Sequence, residues 1–166
     1  MCLPLMAEGE FALVRDYLVA AGNKPVSARG LLFNDNELYS MFVDLAVIQR
    51  DEAALRQYAP LAEEMALRDD HTLCQAGAHR AWGVLHRLQG DYAAAENRLN
   101  QALELFQGLE TRWQIGRTLY ELAELAHARA DTAEARGYFS SALAAFKELG
   151  ATSDMARTRE ALGSLG

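Results

Sequence analysis

Few side chains in this sequence could do chemistry, and they are poorly grouped. Glu124 and His127 stand three apart, a spacing that puts a carboxylate and an imidazole on one helix face. Di-metal bundles use that Glu-x-x-His pair twice, with two further glutamates on facing helices. No second copy occurs here. His79 and His86 lie seven apart and could share a face, but one metal takes three or four ligands. Both also fall at packing positions, so they read as partly buried core histidines. Asp69-Asp70-His71 could form an acid–histidine dyad, or it could mark a helix start at which the acids cap and complement the dipole. Cys2 and Cys74 are too few for a disulfide framework and have no partners at metal spacing. Cys74 reads as a small core residue. The chain has no phosphate-binding glycine loop, no Gly-x-Ser-x-Gly and no His-Glu-x-x-His. The expectation is a chain that is not an enzyme and takes no metal or cofactor.

The elements that carry these residues are helices. The 166 residues suffice for one domain with a sizeable core. Alanine, leucine, glutamate and arginine dominate, while the β-branched residues a sheet needs are sparse. A net charge of −7 argues against general nucleic-acid binding and against an anionic membrane surface. Lysine occurs only at Lys24 and Lys147, so the basic charge is almost all arginine. No apolar run reaches membrane-spanning length, and Met1–Met6 lacks the features of a signal peptide. The expected location is cytoplasmic.

The strongest feature is internal self-similarity. Trp82–Ala95 aligns with Leu122–Ala135 at an offset of 131 − 91 = 40. The same offset links Ala102-Leu103 to Ala142-Leu143, Phe106 to Phe146, Arg117-Thr118 to Arg157-Thr158, and Asp91 back to Asp51. Each unit reads as two helices. The first has apolar residues at helical spacing, as in Trp82, Leu85 and Leu88. A tight turn follows, with Asp51, Asp91 and Asp131 placed as N-caps. The second runs through Ala95, Leu99, Ala102 and Phe106, or Ala135, Phe139, Ala142 and Phe146. It ends near Gly108 or Gly150, where a left-handed residue fits. Gly83 and Ala123 face the partner helix, where axes approach to about 8–10 Å. The spacing predicts helices over 10–21, 35–49, 52–68, 71–89, 92–107, 112–129, 132–148 and 153–165.

A small residue in the first helix, Gly-Asp-Tyr at the turn, and Ala-x-x-x-Leu-x-x-Ala-Leu in the second helix together resemble the tetratricopeptide signature. The likeness covers about 35–166 and is clearest over 76–107. The period of 40 resembles the long-repeat domains of MalT-like and large LuxR-family regulators; His79 and Leu119 stand where that family often has tryptophan, and Gln107 and Lys147 where it has proline. The resemblance implies an all-α, right-handed α-solenoid of antiparallel helix pairs. It divides one domain, 1–166, into an irregular partial repeat (1–34), repeats over 35–68, 71–107 and 112–148, and a capping helix at 153–165. It further implies that first helices line a concave, partner-binding face. The corresponding residues are Glu37, Ser40 and Asp44; Arg80, Val84 and Arg87; Arg117, Tyr120, Glu121, Glu124 and His127; and Arg157 and Glu160. Arginine, tyrosine and carboxylates suit recognition, and pairs such as Arg117–Glu121 suit a merely solvated face. The lysine–asparagine clamp of chaperone-binding members is absent. The function implied is a scaffold for a protein or peptide. The alternative is a regulatory or sensor module of a larger bacterial signalling protein, a transcription activator or an ATPase-, cyclase- or kinase-linked protein, that binds an effector or restrains a neighbouring domain.

Three further expectations concern particular residues. Trp113 packs on Phe106 or serves as a ligand platform, and Tyr120 points away from the core. The segment Gly22–Gly30 interrupts the array as a loop. The chain begins inside a repeat, so the helix at 10–21 presents Phe11, Val14 and Leu18, and an exposed patch of this kind implies a homodimer through the N-terminal end.

Overall fold

In a computed structural model, residues 11–23 and 34–166 are described. Among them are eight helices and no strand: α1 Phe11–Gly22, α2 Asp35–Gln49, α3 Glu52–Arg68, α4 Thr72–Leu88, α5 Tyr92–Gly108, α6 Arg112–Ala128, α7 Thr132–Leu149 and α8 Thr152–Ser164. The all-α repeat architecture is as the periodicity requires. Helix pairs α2/α3, α4/α5 and α6/α7 span 35–68, 72–108 and 112–149. The chain divides within α4 into two compact units, Met1–Ala81 and Trp82–Gly166. Residues 1–9, and the expected loop beyond Asn23, lie outside the described residues.

One turn recurs throughout. Its left-handed residue is Arg50, Asp70, Gly90, Glu110, Ala130 or Gly150, in steps of 70 − 50 = 20 residues. The next amide donates to a carbonyl five residues back: Asp51 to Ala46, His71 to Ala66, Asp91 to His86, Thr111 to Phe106, Asp131 to Ala126 and Ala151 to Phe146, at 2.8–3.1 Å. These bonds satisfy carbonyls that a helix end otherwise leaves open. Gly150 takes the left-handed position as expected, but Gly108 does not: α5 runs through it, and Glu110 turns instead.

The N-caps follow the aspartates. Asp51, Asp91 and Asp131 accept from the amides of Ala54, Ala94 and Glu134 at 3.0, 3.1 and 3.0 Å. The acids of Asp69-Asp70-His71 do not cap α4. Asp69 ends α3 and Asp70 is the left-handed residue, so His71 falls at the cap position, its Nδ1 3.4 Å from the Cys74 amide. Asp69 instead accepts from Arg68, which holds its carboxyl below the usual range, and from buried Asn36 at 2.6 Å.

Packing within each unit uses small-against-large contacts. A Cβ on Gly83 would lie 2.6 Å from Leu99 Cγ and 3.2 Å from the Leu99 backbone nitrogen, so only glycine lets α4 and α5 approach there. Gly116 does the same against the Phe146 ring. The core of the second unit gathers Ala123, Ala126, Ala135, Phe139, Ala142 and Phe146. In the first unit Val14 and Leu18 are fully buried against Leu38, Phe42 and Leu45. That corrects the expected N-terminal patch. Val14 and Leu18 stand against α2 as Ala95 and Leu99, 95 − 14 = 81 residues on, stand against α6. The helix α1 is therefore a second helix, and these residues are its inward face. The large apolar side chains that α1 exposes are Leu13, Tyr17 and Val19.

Gly83→Leu should lower stability by about 1–3 kcal/mol, read as a drop in denaturation midpoint; an unchanged midpoint removes the α4–α5 contact. Ala130→Gly should raise stability by about 1 kcal/mol, because a left-handed alanine carries a penalty that glycine does not; urea titration checks it.

Candidate functional site

The face that the repeat register assigns to recognition is, in the second unit, a ladder between α6 and α8. Trp113 lies in the first turn of α6 and is 37% exposed. Its indole Nε1 donates to Asp154 Oδ2 at 2.9 Å. Arg117, one turn on, lays its guanidinium over the indole at 4.7 Å from the centroid. The other oxygen of Asp154 accepts from Arg157 at 3.3 Å, and Arg157 lies over the Tyr120 ring at 4.3 Å. Tyr120 in turn meets Phe139 edge-on, centroids 5.1 Å apart. The helical spacing 113, 117, 120 puts all three α6 side chains on one face, and 154 and 157 place theirs one turn apart on α8.

Below this ladder lies charge. Arg87, at the end of α4, reaches Glu121 at 3.4 Å and Glu124 at 3.7 Å. Arg87 and Glu121 are almost fully buried, so Glu121 pairs across helices as well as standing one turn from Arg117. In the first unit Arg80, 1% exposed, donates to Asp44 at 2.8 Å. Ser40 is half-buried near Cys74, whose thiol is pushed up by burial. Cys74 is a buried packing residue, as expected of a free cysteine.

The candidate residues therefore divide. Val84 is fully buried, and Arg80, Arg117, Tyr120 and Glu121 are buried too. The position of Tyr120 is a correction: it belongs to the Phe139 core, because α8 and α7 close over a position that α6 alone presents outward. Trp113 is likewise held by Asp154 and Arg117. Glu37 is exposed, and its carboxylate accepts from the Asn34 amide at 3.3 Å in a capping box. Exposed or half-exposed on the same face are Glu124, His127, Arg157 and Glu160. Asp154 went unnoticed in the sequence because a first-turn aspartate reads as a cap. Among the described residues no three His, Cys, Asp or Glu side chains gather to hold a metal, and no helix is long and apolar enough to cross a membrane. What the face offers is a rigid floor of planar, amphipathic groups with a polar rim, the composition of a recognition surface.

The fold is that of a helical-repeat module. Residues 74–148 match the model of the tetratricopeptide repeat. The chain's structure is similar to that of a Rap protein complexed with Competence and Sporulation Factor: TM-score 0.81, 17% identity, 99% of this chain and 46% of that one. It is also similar to BtubC from P. vanneervenii: TM-score 0.64, 19% identity, 99% of this chain and 68% of that one. At these identities the likeness is one of fold, and the chain spans about half the length of the Rap protein. No curated protein matches it in sequence.

The Arg87–Glu121 pair is the sharpest energetic feature of the face. Glu121→Ala should cost about 1–3 kcal/mol by leaving the buried Arg87 guanidinium only the more distant Glu124 as a partner, whereas the double variant Arg87→Met, Glu121→Leu should recover most of that loss. Denaturant midpoints of the three proteins check it; a negligible cost for the single variant removes the pair from the core.

Proposed function

We propose that this chain is a non-catalytic interaction scaffold located in the cytoplasm, and that the α6–α8 face of its second unit holds a segment of a protein or peptide partner. The observation that carries the reading is Trp113. A large indole is exposed yet fixed on one face by Arg117 and at its nitrogen by Asp154. Fixed aromatics bury area on binding at little entropic cost, and they dominate interface energies. Around it stand Glu124, His127, Arg157 and Glu160, charges of both signs for a partner of mixed charge. In the first unit Glu37 and Ser40 hold the corresponding positions of the repeat, while Asp44 is engaged by Arg80. The Rap protein of the same fold, complexed with a factor, supports a ligand-holding role. Its greater length favours, as a second reading, a regulatory module within a larger protein.

The test is capture of a partner by the immobilised chain, followed by titration of the identified partner. Trp113→Ala and the charge reversal Arg157→Glu, Glu160→Arg should each weaken binding by about tenfold or more. Glu104→Arg, exposed on α5, should leave it unchanged. The reverse pattern, with binding lost only in Glu104→Arg, moves the site off this face.

A further inference from the structure

The two units contain one packing site in the same register, closed in one and open in the other. In the second unit Leu122, Leu125 and Tyr138 pack with Ala95 and Leu99. Arg129 covers them, pairing with Glu96 and Glu134 at 2.9 Å each. Two periods earlier the equivalents of Leu122, Leu125 and Tyr138 are Phe42, Leu45 and Tyr58, packed with Val14 and Leu18. Here Gln49 stands where Arg129 stands and Ala54 where Glu134 stands, at 134 − 54 = 80 residues, and Arg15 stands where Glu96 stands at 96 − 15 = 81, the register in which Val14 and Leu18 match Ala95 and Leu99. The bridging arginine and its second acid are gone, and a cleft of about 260 Å³ remains between α1, α2 and the start of α3.

The chemistry of the cleft is specific. One wall is the stacked pair Phe42–Tyr58, centroids 4.2 Å apart and 10° from parallel. Val19, Leu45, Ala46, Ala53 and Ala54 complete the apolar lining. At the rim Arg15 donates to Gln49 Oε1 at 2.8 Å and to Asp51 Oδ2 at 3.3 Å. The other Asp51 oxygen caps α3 through the Ala54 amide. The rim thus holds one cation and one carboxylate oxygen side by side, above an aromatic wall.

We propose that this cleft binds a small zwitterion with an apolar body: a free α-amino acid bearing an aromatic or branched side chain. The volume takes one such molecule and is smaller than the usual range for drug-sized ligands. Its carboxylate meets the Arg15 guanidinium, a geometry arginine favours. Its ammonium meets Asp51 Oδ2 and Gln49 Oε1. The side chain lies on the Phe42–Tyr58 wall. Arg15 and Asp51 pair with each other at 3.3 Å; a zwitterion that separates them satisfies both, whereas a ligand with one charge takes one member of the pair and leaves the other to water, so the complementarity is to both charges together. This site is independent of the α6–α8 face.

Titration calorimetry on the full chain tests it, with L-phenylalanine, L-leucine, 3-phenylpropionate and N-acetyl-phenylalaninamide as probes. The two amino acids should bind saturably at about millimolar concentration or tighter, and the singly charged and uncharged analogues about tenfold more weakly. Arg15→Glu, a change at an exposed side chain, should reduce amino-acid binding about tenfold. The triple variant Arg15→Glu, Gln49→Arg, Ala54→Glu copies the closed site and should abolish binding while keeping its melting temperature. No saturable binding by wild type at about 10 mM overturns the proposal. So does equal binding of the uncharged analogue, or binding that Arg15→Glu leaves unchanged.

Discussion

The structure depends on a hydrogen bond that is short in sequence and repeated along the chain. At each turn among the described residues, a left-handed residue bends the chain so that the next amide reaches a carbonyl five residues back. The bond fixes the angle at which one helix leaves another. Because it recurs every twenty residues, it also fixes which residues meet. A helix pair so placed buries its inward face only against the next, and residues forty apart come to do the same job. Ala95 and Ala135, Phe106 and Phe146, and Asp91 and Asp131 are each such a pair.

With the backbone step fixed, side chains become substitutions within a common frame. Close approach is kept by whichever residue is smallest: Gly83 at one position, Gly116 at another. The same frame lets charge be added or removed locally. Arg129 closes one site through Glu96 and Glu134, and Gln49 with Ala54 leaves its counterpart open. Backbone constraint and side-chain freedom are thus separate, which is how one array can hold both a filled and an unfilled version of one site.

That separation explains what the sequence disclosed. The period, the helix bounds and the caps at Asp51, Asp91 and Asp131 are local properties and were readable from spacing; Asp69-Asp70 was misleading, because those acids fall in the turn itself. The left-handed residues were not, because four of them are Arg50, Asp70, Glu110 and Ala130 rather than glycine. There the helix bond pattern, not the residue's preference, sets the conformation. Burial was legible only where one helix decides it. Tyr120 points outward from α6, but Phe139 on α7 and Arg157 on α8 close over it. Val14 and Leu18 look exposed when α1 is taken alone, yet Leu38, Phe42 and Leu45 of α2 cover the face they occupy. Of the candidate face, the residue types were legible; their division into floor and rim required the neighbouring helices.

The floor bears on what the α6–α8 face can recognise. Asp44 with Arg80, and Arg87 with Glu121, engage charges of one first helix with those of the next. Such pairs are held by neighbours in low dielectric, where exchanging a partner leaves a buried charge uncompensated. They are therefore poor contacts for a ligand that must come and go. In the proposed role, discrimination falls to the exposed or half-exposed Glu124, His127, Arg157 and Glu160, and to the exposed part of Trp113. A rim charge alters encounter rate and orientation more than affinity, while the indole supplies apolar area. In the proposed role the face divides its labour accordingly: buried pairs hold the helices in place, the tryptophan anchors, and the rim selects.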